Sequence, residues 1–319
     1  TTMASLPADN LASIHVDVAA VAAAAGAAEE EIPGLSSFAA ALIAEERGMR
    51  LAGRLPLERD ALDAAAAALL DEAGGEPTLA GWMPADTKLE IVTFGVADAI
   101  RAAEADESEA SSVVAQLRAG LGLGLGLDLD EDVLPLLDGE VGIAVSQLEL
   151  SGAVPPVGQV LLKPADRAVV EGTLGRIRDA LEGRGAAVTT REAGGTTVTT
   201  VEVPQAGAAS YAVVDGVVVI GLAPEHVLAA LEARSAGETL GETEAYATAF
   251  GLLERHAGPE LFLDLQGLLG VAGQFGFDAG QLDALPADAR AILERVEALA
   301  LATPTSADAV EIHAVLTVR

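Results

Sequence analysis

The chain has 319 residues, 49 of them acidic and 18 basic, for a net charge of −31; 51% are hydrophobic and none is cysteine. The charge argues strongly against a nucleic-acid partner, which needs a basic face, and against docking on anionic lipid. The missing thiols exclude disulfides, thiolate catalysis and zinc–thiolate sites.

Aromatic residues make up only 3%, so a core has to be assembled from Val, Leu, Ile and Ala. Lysine occurs only as Lys88 and Lys163, and asparagine only as Asn10. Such a composition reads as a GC-rich coding sequence with a salt- or heat-tolerant surface. A field of this sign favours cations and basic partners. No apolar run reaches the ~18 residues of a transmembrane helix. No export signal is visible at Thr1-Thr2, which a removed leader or a trimmed sequence would explain equally.

Along the chain one phrase recurs. It reads LPADNLASIHVDVAAVAAAAG from Leu6, MPADTKLEIVTFGVADAIRAAE from Met83 and GPELFLDLQGLLGVAGQ from Gly258. Each has a proline turn, an apolar strand, then an Ala- or Leu-rich helix; proline punctuates the strand start because it cannot join the ladder. Asp17, Asp98 and Asp264 stand in or near the strand–helix junctions. They read as a ring of carboxylates or, more simply, as caps and turn residues.

Residues 36–72 read as two helices, with Gly48 and Gly74-Gly75 as stops, and 104–119 as a third. The run from Gly120 to Asp128 (GLGLGLGLD) reads as a connection or an edge strand. It fails as a dinucleotide loop, because its glycines alternate strictly and three carboxylates follow. Glu140–Leu150 alternates as a strand.

From Pro155 the predicted order is a strand (VGQVLLK), a helix opened by Pro164 and Asp166, a hairpin turning at Gly194-Gly195, and a second hairpin turning at Asp215-Gly216. A helix beginning at Pro224 follows, then a helix over 243–256, the strand Leu261–Leu265, a helix over PADARAILERVEALA and a last strand, AVEIHAVLTVR. The expected class is α+β: mostly antiparallel sheets with helices packed on one face. The linker-like SGAVPPVG divides the chain into halves of 1–154 and 155–319, with one continuous sheet as the alternative. Recurrence of the phrase in both halves suggests a duplicated half-domain.

Chemistry-bearing residues are few. In DLDEDVLPLLDGE, Asp128, Asp130 and Asp132 are weak calcium candidates, since positions six and twelve of the loop are Val133 and Gly139 where an EF-hand needs Gly and Glu. None of His15, His226, His256 and His313 stands at HxxxH or HExxH spacing, and His15 and His313 fall within apolar strands. There is no GxSxG elbow. Trp82, the single tryptophan, reads as a plug at the sheet end, with a partner anchor as the alternative. No cofactor is expected.

LPADNLASIHVDVAAV, GLGLDLDEDVLPLLDGEVGIAV, SYAVVDGVVVIGLAPEHVLAAL and FLDLQGLL occur in an order that resembles the bacterial family known as domain of unknown function 3352. Where that family often has Trp after its "LP", this chain has Leu136. The resemblance implies an exported protein, often tethered by a lipoprotein signal or one membrane helix, and brings no established activity. The expected function is therefore non-enzymatic: an exported cell-envelope or extracellular protein acting through surface binding or self-assembly. The alternatives are a carrier of an apolar small molecule and an enzyme of unrecognised type. Copies of itself are the expected partner. The terminal strand AVEIHAVLTVR and the Thr-rich hairpin TTREAGGTTVTT would offer sheet edges for pairing.

Overall fold

The structure, a computed structural model, describes residues 6–17, 37–62, 67, 68, 70, 71, 74–105, 109–147, 157–203, 207–270, 286, 291, 293–306 and 308–319. In chain order the strands and helices are β1 (Ala12–Asp17), β2 (Ser37–Glu45), β3 (Gly48–Pro56), β4 (Leu89–Thr93), α1 (Val96–Ala105), α2 (Glu109–Ala119), α3 (Leu134–Leu137), β5 (Gly139–Gln147) and β6 (Val157–Pro164). They continue with α4 (Arg167–Glu182), β7 (Ala187–Ala193), β8 (Thr196–Val203), β9 (Gly207–Val214), β10 (Val217–Gly221), α5 (Pro224–Ala236), α6 (Glu244–Gly251), β11 (Glu260–Asp264), α7 (Leu265–Gly270), β12 (Val296–Ala302) and β13 (Ala309–Val318).

Among the described residues thirteen strands form one antiparallel sheet in the order β1-β2-β3-β13-β12-β11-β4-β5-β6-β10-β9-β8-β7. The class is the expected α+β. The order exposes a repeated unit: β1-β2-β3, β4-β5-β6 and β11-β12-β13 are each three neighbouring strands, with a long connection after the first. In the second and third units that connection opens with a helix, as the recurring phrase predicts; in the first, residues 18–36 lie outside the described residues. The first strands of the second and third units pair with each other, Leu261 opposite Ile91. The third strands of the first and third pair as well, Val315 opposite Arg50.

One face of the sheet carries the largest core. There Leu79, Trp82, Met83, Val227, Tyr246 and Phe250 meet Val92, Leu161, Val219, Phe262 and Ala300. Trp82 is buried, with the Arg234 guanidinium 4.9 Å from its ring centroid. The opposite face is covered by α3 and α4 over β6, β9 and β10, through Leu136, Val170 and Leu174 on Leu162 and Val218. Helices thus lie on both faces there, not on one as expected: successive residues of β6 and β10 point to opposite faces and both sets are apolar, Leu161 and Val219 on one side, Leu162 and Val218 on the other.

Residues 37–56 are the hairpin β2–β3, not a helix: Ala39, Ala40 and Ala41 are all buried, so both faces of β2 are covered at that point, and such an apolar run carries no two-residue alternation. Gly48 is not a helix stop; a Cβ there would stand 2.2 Å from the Leu316 carbonyl oxygen of β13. In the segment read as a helix over 286–300, Val296–Ala302 is strand β12.

The glycine–leucine run is neither edge strand nor open connection. Gly120–Leu125 continues α2 as a wide π-helical turn, closed at Gly126 (φ +70°), whose N–H donates to the Gly122 carbonyl. Arg184 donates to the exposed carbonyls of Leu123 and Gly124, the groups a helix C-terminus leaves unmatched. β13 is not an edge either: it sits between β3 and β12 with both sides of its ladder engaged. The outermost strands are β1 and β7.

Candidate functional site

Two places concentrate polar chemistry: the β4–β11 seam at the centre of the sheet and the β7–β8 hairpin at its end. At the seam, alternation places Glu90 of β4 and Glu260 of β11 on the core face, Glu90 opposite Phe262 and Glu260 opposite Val92. Glu90 is 0% exposed, and neither carboxylate oxygen finds a hydrogen-bond partner among the described residues. Burial, reinforced by Glu260 and Glu140 nearby, raises its pKa well above the ordinary carboxylate range, which favours the neutral acid.

Glu260 is supported. Its Oε1 accepts from the Tyr246 hydroxyl at 3.1 Å, and its Oε2 contacts Nε2 of His256, the one partly exposed member of the group. Burial raises the Tyr246 pKa, with Glu90 and Glu260 adding to the effect, so the phenol stays a donor. His256 and Glu260 stand four residues apart, an HxxxE spacing that neither HxxxH nor HExxH covers.

Glu140 opens β5 and serves the connector before β4. Its oxygens accept from the Thr78 N–H at 2.6 Å, the Leu79 N–H at 2.8 Å and the Thr78 hydroxyl at 2.6 Å, with Lys163 at 3.5 Å. Gly142 makes this approach possible, since a Cβ there would meet Leu79 at 2.9 Å. Glu140 therefore clamps residues 78–83 onto the sheet. None of the three clefts described below is lined by Glu90, Glu260 or His256. The cluster belongs to the core.

The acidic turn works through internal contacts. Asp128 Oδ1 accepts from the amides of Asp130 and Glu131. Asp130 pairs with Arg118 at 2.8 Å, and Asp132 with Arg176 at 2.7 Å; donation from those arginines lowers both carboxyl pKa values. Among the described residues, no three His, Asp or Glu side chains are grouped so as to hold a metal ion.

The junction carboxylates do not form a ring. Asp264 caps α7 through the Gly267 N–H at 2.8 Å and pairs with Lys88 at 2.6 Å. Asp98 lies in the first turn of α1 and pairs with Arg101, while Asp17 ends β1. His15 is exposed on β1; His313 is buried beside Glu311, and His226 lies on α5 with its Nδ1 unpartnered among the described residues.

The hairpin at the sheet end turns through Gly194 (φ +59°) and Gly195 (φ +82°), the left-handed pair of a type I′ turn. It lies between two open clefts. One, of about 540 Å³, runs beneath α4 and is lined by Glu171, Arg178, Thr197 and Tyr211. The other, of about 270 Å³, lies on the opposite face beside α5 and is lined by Trp82, Gly194, Leu231 and Arg234. A third, of about 310 Å³, is lined by Asp71, Gly75, Phe94 and Asp138. Among the described residues no strand pairs with the outer side of β7.

These features define an α+β protein built on one wide antiparallel sheet that contains three three-strand units, with acids in its core and, among the described residues, β1 and β7 outermost. The sequence profile of the family described as protein of unknown function (DUF3352) matches residues 1–316. The chain belongs to that family. No curated protein and no solved structure matches it.

Proposed function

We propose that the protein is a non-catalytic, exported component of the cell envelope or extracellular space, and that it acts by self-assembly through its sheet edges. The observation that carries this reading is β7: among the described residues it is bonded to β8 on one side only and presents the other row of backbone groups outward. Export rests on the family resemblance alone.

Sedimentation velocity across a salt series tests the proposal. Self-repulsion is screened over roughly 8 Å in physiological salt, whereas backbone pairing is not, so association should rise as salt is raised to moderate levels. A strictly monomeric species at every salt and at high concentration would overturn it.

A second reading, carriage of an apolar small molecule, is favoured by a cross-strand row on the face opposite the main core. It runs from Leu301 through Leu261, Ile91 and Ile143 to Val160, each directly opposite the next. The last three are 37%, 41% and 38% exposed. Saturable binding of a fluorescent fatty acid, abolished by Ile143→Lys, would establish that reading; no binding at micromolar protein would remove it.

A further inference from the structure

We infer that the assembly contact is an isologous one, in which β7 pairs antiparallel with β7 of a second copy and Thr190 lies on the two-fold axis. The inference rests on the self-assembly reading above and adds the edge, the partner and the register.

The hairpin turn fixes which backbone groups are free. With Ala193 opposite Thr196 across a two-residue turn, that pair exchanges hydrogen bonds. Alternation then directs the N–H and C=O groups of Ala187, Thr189, Arg191 and Ala193 toward β8. Those of Val188, Thr190 and Glu192 point outward. An added antiparallel strand must bond this outward set, and a two-fold axis must map the set onto itself.

Three registers pair outward residues with outward residues and keep at least five of the seven residues overlapped, those centred on Thr189, Thr190 and Arg191. With Arg191 on the axis, two guanidinium groups face each other directly, which is destabilising. With Thr189 on the axis, Glu192 passes the partner strand's end and loses its pairing. With Thr190 on the axis, all seven residues overlap, Ala187 facing the partner's Ala193. Arg191 then faces the partner's Thr189, Glu192 faces the partner's Val188, and no like charges are opposed.

Charge points to the same edge. β7 carries one Arg and one Glu, so it is neutral in a chain of net charge −31. A second copy therefore meets less repulsion there than on the acidic surface elsewhere. The paired edge joins two thirteen-stranded sheets into one and buries the outward row of both strands.

The native chain has no cysteine, so an introduced thiol reports alone. In Thr190→Cys the two Cα atoms stand about 5.5 Å apart across the axis, within disulfide reach. Mild oxidation should convert most of this variant to a covalent dimer. In Ala187→Cys the partner's Ala187 is about 20 Å away, so the yield should be about tenfold lower or less. It should be restored when Ala187→Cys is mixed with Ala193→Cys. Circular dichroism identical to the parent protein shows that each variant folds.

If the parent chain associates in sedimentation but Thr190→Cys stays uncrosslinked, this edge and register are wrong while self-assembly stands. Efficient crosslinking of Ala187→Cys by itself is a second contrary result. A parent chain that is monomeric throughout removes both proposals together.

Discussion

The β4–β11 seam and the β7–β8 hairpin are made by the same antiparallel ladder, yet they expose opposite halves of the chain's chemistry. At the seam, β4 is flanked by β11 and β5, and β11 by β12 and β4. Backbone bonding is complete there, Phe262 is 1% exposed, and the polar problem falls on side chains such as Glu90. At the hairpin, the side chains of β7 are mostly exposed alanines, threonines and charged groups, and the unmatched polar groups are the backbone's own. In a sheet this wide, a strand's place in the order decides whether its side chains or its main chain is left to find a partner.

The sharpest way to break this comparison is truncation at the seam. Phe262→Ala should lower unfolding free energy by about 4 kcal/mol, through lost transfer energy and a residual cavity. Val188→Ala on β7 should cost less than about 1 kcal/mol. Urea titration of both variants checks the ratio, and equal losses would show that the hairpin is as deeply packed as the centre.

Glu140→Ala should cost about 3 kcal/mol in the same assay, because the amides of Thr78 and Leu79 lose their acceptor. Glu90→Leu tests the other kind of buried acid. The raised folded-state pKa of Glu90 means that the native protein holds its proton more tightly than the unfolded chain does. Its contribution is present below the unfolded carboxylate value, about 4.3, and is lost as pH rises toward the folded value, at up to about 1.4 kcal/mol per pH unit. Relative to the parent chain, Glu90→Leu should therefore gain stability as pH is raised from about 5 to about 8. A pH-independent difference would show that Glu90 is solvated or paired.

Thr190→Pro should change stability by less than about 1 kcal/mol, since it removes an outward donor on an edge strand, where proline is tolerated. The same variant should be monomeric in sedimentation under conditions where the parent chain associates. The smallest effect is expected from metal removal: a chelator should leave the thermal midpoint unchanged, because Asp130 and Asp132 are neutralised by Arg118 and Arg176.

Much of the second half was readable in the sequence because its signals are local. Gly194-Gly195 and Asp215-Gly216 specify two hairpins, and Pro224 opens α5. The recurring phrase also identified β4 and β11 as equivalent strands. The β2–β3 hairpin was misread because consecutive buried alanines look the same to a pattern of period two or three. The position of β13 was hidden because strand order depends on contacts between distant segments. The core acids were hidden for a different reason. In a chain with 49 acidic residues, nothing about Glu90 or Glu140 as letters distinguishes them from solvated neighbours. Only the meeting of β4, β5 and β11 does so.

The central place of β13 also sets a schedule. Within the sheet, β1, β2 and β3 reach the remaining ten strands only through β13. Pairing Pro56 with Ala309 closes a loop of about 250 residues. The first strands to leave the ribosome must therefore wait for residues 309–318 before the sheet can close, while β7 to β10 can zip locally much earlier. Stalling synthesis just before β13 should leave the early strands sensitive to protease and the β7–β10 block resistant, a delay that would keep part of the chain threadable during its manufacture.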